Sequence, residues 1–457
     1  MKKNKNIIFF IIPCFIFGIF LLAFYPGVIT SDGSGQWQQV ISDNISNAHP
    51  FFSTYFMALL SKLWNKKTIV IIYQILLFSF IWYRICNQFL KQYKEFKKIT
   101  IYTIITCLVP IIAIYAITLW KDIIYSYYLL AIIYYIYKGI INKFNHSKTD
   151  ASIIGLLLFG IFSYRHNGMI VASLLILVFS YIYFKHMKKI NILIMLTSFI
   201  LLNIAVYFPK NYYLEINNRE NTYTNIGSLD GFYMWMIGAH LQHDYIEKKD
   251  LETLNNIIEL DEYKKSYTGF LINAISMNPN INKEYLNDNT DKVSRIFFKY
   301  TFKHPLTIIV HYAKADALLW SPFPVGYVYH FDYKEWYPNF QLTEDKDSKL
   351  PFLNTVYEKV THLTIRKPLV WLYRPALIMY ITLILLFLIV KALKNKSYYL
   401  LSLPMLFNIL SLALINPAQD LRYVYINYLT FTFVFLLFIL NFKKILKMYK
   451  KNKLKGV

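Results

Sequence analysis

The sequence is poor in charged residues, and this shortage excludes an ordinary soluble protein. Only 16% of the 457 residues are charged, whereas 56% are hydrophobic and 18% aromatic. A soluble domain usually carries about a quarter charged residues, which cover its water-facing surface. We therefore expect most of this chain to face lipid.

Cysteines are also scarce, and none lies in the long polar segment 209–367, which excludes a disulfide or cysteine-based metal framework there. Cys14, Cys86 and Cys107 all lie in or at the edge of apolar stretches. The start of the chain lacks a small-residue cleavage site, although MKKNKN followed by an apolar run to Tyr25 resembles a signal peptide. We expect that run to stay as the first membrane helix.

What the chain has in excess is positive charge, with a formal net charge of +23. Binding to nucleic acid would need basic residues gathered on one folded face. The lysines instead fall in short groups between apolar stretches, which is typical of cytoplasmic loops of a membrane protein. This pattern argues against a nucleic-acid partner.

Ten apolar stretches approach the length of about 20 residues that a membrane-spanning helix needs. They are 7–25, 68–86, 101–119, 123–140, 151–163, 168–184, 190–208, 368–391, 397–415 and 421–441. With the N-terminus inside, the lysine-rich loops fall inside and most acidic residues fall outside, apart from lysines at 62, 66 and 67. We predict an all-α polytopic membrane protein with about ten transmembrane helices and with both termini cytoplasmic.

Three domains follow from this topology. Residues 1–208 hold about seven helices and a first outer loop at 26–67, and 368–457 hold about three helices and a basic cytoplasmic tail. Residues 209–367 form an extracytoplasmic domain, predicted to be mainly helical because it is too rich in aromatic residues for a solvated coil. The apolar pieces 51–64 and 305–320 are predicted to lie at the membrane surface. The alternative for 51–64 is that it dips inward, which would explain Lys66 and Lys67, and the alternative for 305–320 is a further span.

Residues that could carry chemistry fall in four outer segments. Asp32 follows the first helix among turn-forming glycines, where its carboxylate can accept a proton or hold a metal. The other segments contribute Lys121 and Asp122, Arg165 with His166 and Asn167, and Asp420 with Arg422, and His49 precedes 51–64. Each residue alone is also explained as a helix cap, an interfacial anchor or a structural histidine. Ionisable groups at membrane depth usually line a cavity or face one another, which favours a shared site.

These segments resemble a known superfamily. Five short motifs are similar to those of bacterial GT-C glycosyltransferases, both in their order along the chain and in the side of the membrane on which they are predicted to lie. They are YPGVITSDGSGQW, HPFFSTYF, LWKDIIYS, YRHNG and DLRYVYINY. They resemble more closely a bacterial domain-of-unknown-function family of that type. The resemblance covers the ten-span core and is weak in 209–367.

The resemblance implies an inverting glycosyltransferase of the bacterial cell membrane, which moves a sugar from a polyprenyl-phosphate donor to an extracytoplasmic cell-surface glycan. Asp32 would be the general base. The donor phosphate would be bound by four residues, Lys121, Arg165, His166 and Arg422. Three further residues, Asp122, His49 and Asp420, would orient the acceptor or the phosphate-binding side chains. Many relatives have paired acidic residues in the first outer loop, whereas Asp32 is followed by Gly33, so a metal-free mechanism without cofactor is favoured over one that uses a divalent metal.

Three other functions compete with this one. A transporter or flippase of a lipid-linked substrate would explain charges in the membrane, but such sites commonly lie near the midplane between inverted repeats, and we find no repeat. A polysaccharide polymerase would use a diphosphate-linked donor and would not need Asp32 as a base. A scaffold without enzymatic activity gives no reason for four charged outer segments.

Overall fold

Helices dominate the structure. The computed structural model describes residues 4–47, 49–216, 228–323, 348–365, 371, 373–414 and 418–453. The chain divides into two compact units, the first made of Met1–Asn218, His330–Ser411 and Arg422–Val457, and the second of Arg219–Tyr329 and Leu412–Leu421. The predicted division into two membrane parts, 1–208 and 368–457, and an extracytoplasmic domain, 209–367, stays a prediction.

The first unit contains the long apolar helices. Before the second unit its elements are α1 (Ile8–Ala23), β1 (Val28–Ile29), α2 (Ser31–Ile41), α3 (Phe51–Ser61), α4 (Thr68–Tyr93), α5 (Phe96–Leu108), α6 (Pro110–Ala116), β2 (Thr118–Leu119), α7 (Lys121–Ile141), α8 (Lys148–Tyr164), α9 (Gly168–Lys185) and α10 (Lys189–Ile216).

The second unit consists of short helices with a core of their own. They are α11 (Ser228–Leu241), α12 (Lys248–Asn255), α13 (Leu260–Ser266), α14 (Asn273–Ser276), α15 (Lys283–Asp288), α16 (Thr290–Lys303), α17 (Pro305–Ala315) and α18 (Ala317–Trp320). Trp235, Tyr263 and Tyr300 are among the large side chains buried in this core. The predicted helix 305–320 is therefore two helices that meet at Asp316. The longer one has 11 residues, about 16 Å, which is too short for a span.

The chain then returns to long helices. They are α19 (Pro351–Ile365), α20 (Pro375–Leu393), α21 (Leu403–Leu414) and α22 (Tyr425–Lys453), with 3-10 turns at Lys396–Ser402 and Leu421–Val424. The first residues of the predicted span 368–391 lie partly outside the described residues, and the described helix begins at Pro375.

Seven helices among the described residues are long and apolar enough to cross a membrane. They are Thr68–Tyr93, Lys121–Ile141, Gly168–Lys185, Lys189–Tyr213, Pro375–Leu393, Lys396–Leu414 and Leu421–Lys450. The prediction of an all-α protein with many membrane helices is confirmed at this level. The helices α1 and α8 are shorter, with 16 and 17 residues, so the count of ten spans stays a prediction.

The predicted span 101–119 is bent. The helices α5 and α6 meet at an angle of 72°, and Val109 between them is extended, with φ −61° and ψ 122°. Pro110 explains the break, because it disfavours a helical conformation of the residue before it and has no N–H to donate. The bend turns the chain into β2.

A pair of two-residue strands, which hydropathy did not predict, joins the ends of α1 and α6. Strand β1 pairs in parallel with β2, with Val28 opposite Thr118 and Ile29 opposite Leu119. The buried amide of Gln74 on α4 supports the same region, since its Nε2 donates to the carbonyls of Tyr115, Ala116 and Thr118 over 2.8, 3.0 and 3.1 Å. Helices α2 and α7 begin directly after the two strands, so their first turns lie side by side.

The lysine-bearing helix ends of the first unit meet at one end. Lys138 near the end of α7 pairs with Asp150 at the start of α8 over 2.7 Å. Asn441, which directly precedes the lysine-rich last part of α22, donates to the hydroxyl of Tyr93 at the end of α4 over 2.7 Å. The first turn of α7 lies at the opposite end of that helix from Lys138, and the 21 residues of α7 span about 31 Å.

Candidate functional site

Asp32 is positioned by the start of α2. The Thr30 hydroxyl caps this helix by accepting from the Gly33 amide over 3.1 Å, and it donates to the Leu119 carbonyl of β2 over 3.2 Å. Gly33 lies so close to β2 that a Cβ there would be 2.4 Å from the Leu119 carbonyl oxygen. Asp32 therefore lies beside the residues that follow β2.

Two cations hold one oxygen of Asp32. Its Oδ2 lies 2.7 Å from Arg422 Nη1 and 3.4 Å from Lys121 Nζ. The Asp32 side chain is 26% exposed, against 12% for Lys121 and 13% for Arg422. Burial alone would raise the pKa of Asp32, but Arg422 and Lys121 outweigh it and hold the pKa well below its usual range. Asp32 is therefore a solvent-accessible carboxylate that stays ionised.

His49 is a partner of the same lysine. Its Nδ1 lies 3.2 Å from Lys121 Nζ. Burial and the charge of Lys121 lower the pKa of His49 to about 4. At neutral pH the ring is therefore uncharged, and Nδ1 can accept a hydrogen bond from the lysine ammonium.

Asp122 and Arg165 form a second, more deeply buried ion pair. Arg165 Nη1 lies 2.6 Å from Asp122 Oδ1, and the side chains are 9% and 2% exposed. Asp122 is in the first turn of α7, directly after Lys121, and Arg165 is the first residue after α8. We call Asp32, Lys121, Asp122, Arg165 and Arg422 the ion-pair cluster.

Aromatic rings connect the two halves of the ion-pair cluster. The guanidinium carbon of Arg422 lies 4.8 Å from the Trp120 ring and 4.9 Å from the Tyr423 ring, and that of Arg165 lies 4.6 Å from the Tyr423 ring. Such cation–π contacts orient a guanidinium while leaving its N–H groups available. Tyr423 therefore contacts both arginines of the cluster.

The buried side chain of Asn408 on α21 fixes this arrangement. Its Oδ1 accepts from the Tyr125 hydroxyl over 3.0 Å, and its Nδ2 donates to the Tyr423 carbonyl over 2.9 Å. Sequence reasoning missed Asn408, Trp120, Tyr125 and Tyr423. The only signal for the aromatic residues was that Trp120 and Tyr423 adjoin the charged residues of their motifs.

The structure thus brings together six of the eight predicted site residues, namely Asp32, His49, Lys121, Asp122, Arg165 and Arg422. His166 follows Arg165 between α8 and α9, and its side chain is exposed. Asp420 is buried and belongs to the second compact unit. The roles predicted for these two residues stay predictions.

The charges of the ion-pair cluster suit an anion. Three cations against two carboxylates leave one positive charge, since His49 is neutral. Lysine and arginine at this spacing can bind a phosphate, the arginine by two parallel hydrogen bonds. Within the described ranges, no three His, Cys, Asp or Glu side chains are grouped so that they could hold a metal ion.

Three comparisons with known proteins give no match. No protein-family model matches the chain, and no curated protein or solved structure is significantly similar to it.

Proposed function

We propose that this chain is an inverting membrane glycosyltransferase, which moves a sugar from a polyprenyl-phosphate donor to an extracytoplasmic glycan. One observation carries this proposal: an accessible carboxylate, Asp32, shares a net positive cluster with Arg422 and Lys121. A base for the acceptor and cations for the leaving phosphate are the two groups that such a transfer requires.

The reaction follows from these positions. Asp32 takes the proton of the acceptor hydroxyl as the hydroxyl oxygen attacks the anomeric carbon. A new glycosidic bond forms, the bond from that carbon to the phosphate oxygen breaks, and the polyprenyl phosphate leaves with the electron pair. Arg422 and Lys121 stabilise the charge that develops on the phosphate.

The ion pairs of Asp32 suggest an order of events. With both cations on its carboxylate, Asp32 is a weak base, because its pKa is lowered. A donor phosphate competes for the same cations. Once it takes them, the pKa of Asp32 rises towards its ordinary value and the carboxylate becomes a better proton acceptor. The base is therefore activated when the donor is bound.

The remaining residues act through these groups. Arg165 and Asp122 hold the first turn of α7, which carries Lys121, and the ring of Tyr423 links Arg165 to Arg422. His49 orients the Lys121 ammonium. We assign Asp122, Arg165 and His49 as positioning residues. Arg165 contacts the same Tyr423 ring as Arg422, so it also adds positive charge for the phosphate.

We also propose the orientation of the chain in a bacterial cell membrane. Ten spans would put the lysine-bearing helix ends and both termini in the cytoplasm, and would put the ion-pair cluster and the second unit outside. The support is that the lysine-bearing ends meet at one end of the first unit and the cluster lies at the other ends of the same helices. This orientation follows the positive-inside rule.

The direct test uses purified protein in liposomes, a panel of sugars linked to polyprenyl phosphate, and a cell-envelope glycan fraction as acceptor. The release of polyprenyl phosphate and the new glycosidic bond are measured together. We expect Asp32→Asn to lower the rate by about 100- to 10,000-fold, the usual contribution of a general base. Asp43→Asn is the matched control, because Asp43 is an exposed carboxylate of the same outer loop that contacts Tyr213 instead of the cluster.

Wild-type activity in Asp32→Asn would remove Asp32 from the reaction. Movement of the lipid-linked sugar across the liposome without a new glycosidic bond would overturn the proposal in favour of a flippase. Release of a diphosphate and growth of a long chain would favour a polymerase.

A further inference from the structure

A second positive site lies at the start of α20, apart from the ion-pair cluster. Arg374 precedes this helix and is only 4% exposed. Its Nε is buried and has no hydrogen-bond partner among the described residues, and no carboxylate of those residues lies within ion-pair distance of it. A buried guanidinium without a counterion is strongly unfavourable, so its position calls for an anion.

The groups around Arg374 are also unsatisfied. Asn427 at the start of α22 donates from Nδ2 to the Pro375 carbonyl over 3.1 Å, which brings this helix against the start of α20. The next residue, Tyr428, has a buried hydroxyl with no hydrogen-bond partner in the described part of the chain, and the same holds for Asn427 Oδ1. Arg374 and Tyr428 are close enough to interact electrostatically.

The helix itself adds to the positive potential. The 19 residues of α20 align their peptide dipoles with the positive end at Arg374. Pro375 has no N–H and the Ile378 amide donates to the Arg374 carbonyl, so the amides of Ala376 and Leu377 are the ones without a partner inside this helix. Among the described residues, Arg374 Nε and the Tyr428 hydroxyl are thus unused hydrogen-bond donors of two helices that meet at the start of α20. Several neighbouring donors suit a tetrahedral oxyanion, which has more acceptor oxygens than a carboxylate.

We propose that Arg374, Tyr428 and the N-terminus of α20 bind a phosphate group, either of a lipid headgroup or free. This site is separate from the ion-pair cluster, whose carboxylates pair with Lys121, Arg165 and Arg422 and not with Arg374. Because Arg374 is almost fully buried, the phosphate exchanges slowly and remains bound through purification. Phosphate binding at Arg374 does not depend on glycosyl transfer.

The test measures bound phospholipid and thermal stability of the purified full-length protein. Native mass spectrometry counts phospholipids that stay bound after detergent washing. Melting is then followed in micelles with no addition, with inorganic phosphate, with phosphatidylglycerol, or with diacylglycerol as the matched lipid without phosphate. We expect wild-type protein to retain one phospholipid more than Arg374→Gln, and a phosphate-bearing additive to raise its Tm by about 3–5 °C.

Two further variants make the result interpretable. Arg422→Gln weakens phosphate binding at the ion-pair cluster, so stabilisation that this variant keeps in full belongs to Arg374. Tyr428→Phe removes only a hydroxyl that has no partner in the described ranges, so it keeps the Tm of the ligand-free protein, while the affinity for phosphate falls about tenfold. Tyr428→Phe therefore decides the question if Arg374→Gln fails to fold. Arg84→Gln, which alters an arginine that stacks on Tyr134 instead, should behave like wild type.

The outcomes distinguish a lipid headgroup from free phosphate as the source of the bound phosphate group. Stabilisation by phosphatidylglycerol alone assigns a lipid headgroup, and stabilisation by inorganic phosphate as well assigns a site for free phosphate. Equal stabilisation of wild type, Arg374→Gln and Tyr428→Phe, or stabilisation by diacylglycerol, would overturn the proposal.

Discussion

The two carboxylates of the ion-pair cluster differ most in their access to solvent. Asp32 is 26% exposed, whereas Asp122 is 2% exposed and pairs with a similarly buried arginine. An accessible ion pair can exchange one partner for a ligand at little cost, but breaking a buried pair leaves an uncompensated charge in a poor solvent. We therefore expect Asp32 to exchange its ion-pair partners when the substrate binds, and Asp122 to keep its partner and support the site.

The pH dependence of stability reports on His49. Its pKa is lowered to about 4 in the folded protein, against about 6.5 when unfolded. As the pH falls from 6.5 to 4, the unfolded state gains a proton that the folded state does not, so the folded state loses stability by at most about 3 kcal/mol. We expect the Tm of the wild type in detergent to fall over this range more than that of His49→Gln.

The comparison with His49→Gln is needed because burial also lowers the pKa of His240 and His311 to about 4 in the second unit. Asp32 does not contribute in this window. Its folded pKa is depressed, so its stabilisation is present above the unfolded pKa of about 3.9 and is lost only at lower pH. Parallel loss of Tm in both proteins would mean that His49 is not buried beside Lys121.

At the scale of the elements, the contact between the start of α2 and β2 determines where the base lies. Helices α2 and α7 both begin at the same edge of the two-stranded pair, and the Thr30 cap joins that edge to Asp32. Gly33 of α2 lies so close to the Leu119 carbonyl of β2 that a side chain at position 33 would have no room. The identity of residue 33 is therefore a direct test of this geometry.

Gly33→Ala should displace α2 from β2, because the new Cβ would lie 2.4 Å from the Leu119 carbonyl oxygen. Overpacking of this kind typically costs about 1–3 kcal/mol. We expect a lower Tm in detergent and, with Asp32 shifted, a lower transfer rate.

The matched control is Gly35→Ala in the same helix, where a Cβ would meet nothing within 4 Å. Alanine favours a helix over glycine by about 1 kcal/mol, so this variant should be as stable as the wild type or more stable. If both alanine variants behaved alike, the close approach of α2 and β2 would be wrong.

At the scale of the whole molecule, the arrangement of charge predicts a single topology. Helix ends with lysines meet at one end of the first unit, and the cluster lies one helix length away. Basic loops stay on the cytoplasmic side during insertion, so the two ends should face different compartments.

Single cysteines test this topology in whole cells with a maleimide that does not cross membranes. Cysteine at exposed Asn47 or Gln242 should be labelled, whereas cysteine at exposed Lys94 or Lys394 should react only after the cells are opened. Cys86 and Cys107 are buried, and Cys14 is replaced by alanine to remove background. Labelling of position 47 only in opened cells would reverse the orientation and would end the proposal of an outer active site.

The sequence by itself determined the long apolar helices and the charged residues of the cluster. A long apolar run must form a helix in lipid to satisfy its own backbone, so hydropathy found each of the helices that the structure shows to be long enough to span. The cost of placing charge at membrane depth singled out Asp32, Lys121, Asp122, Arg165 and Arg422 before any contact was known.

Only the tertiary structure decided which of these charges meet. Asp32 and Arg422 are 390 positions apart, and the choice of one partner over another depends on how the helices pack rather than on local hydropathy. Two-residue strands are too short for a periodic pattern, so β1 and β2 were not predictable. In the sequence, nothing distinguishes Arg374 from another arginine near a helix end. Only the packing shows that it is buried and that no carboxylate of the described residues pairs with it.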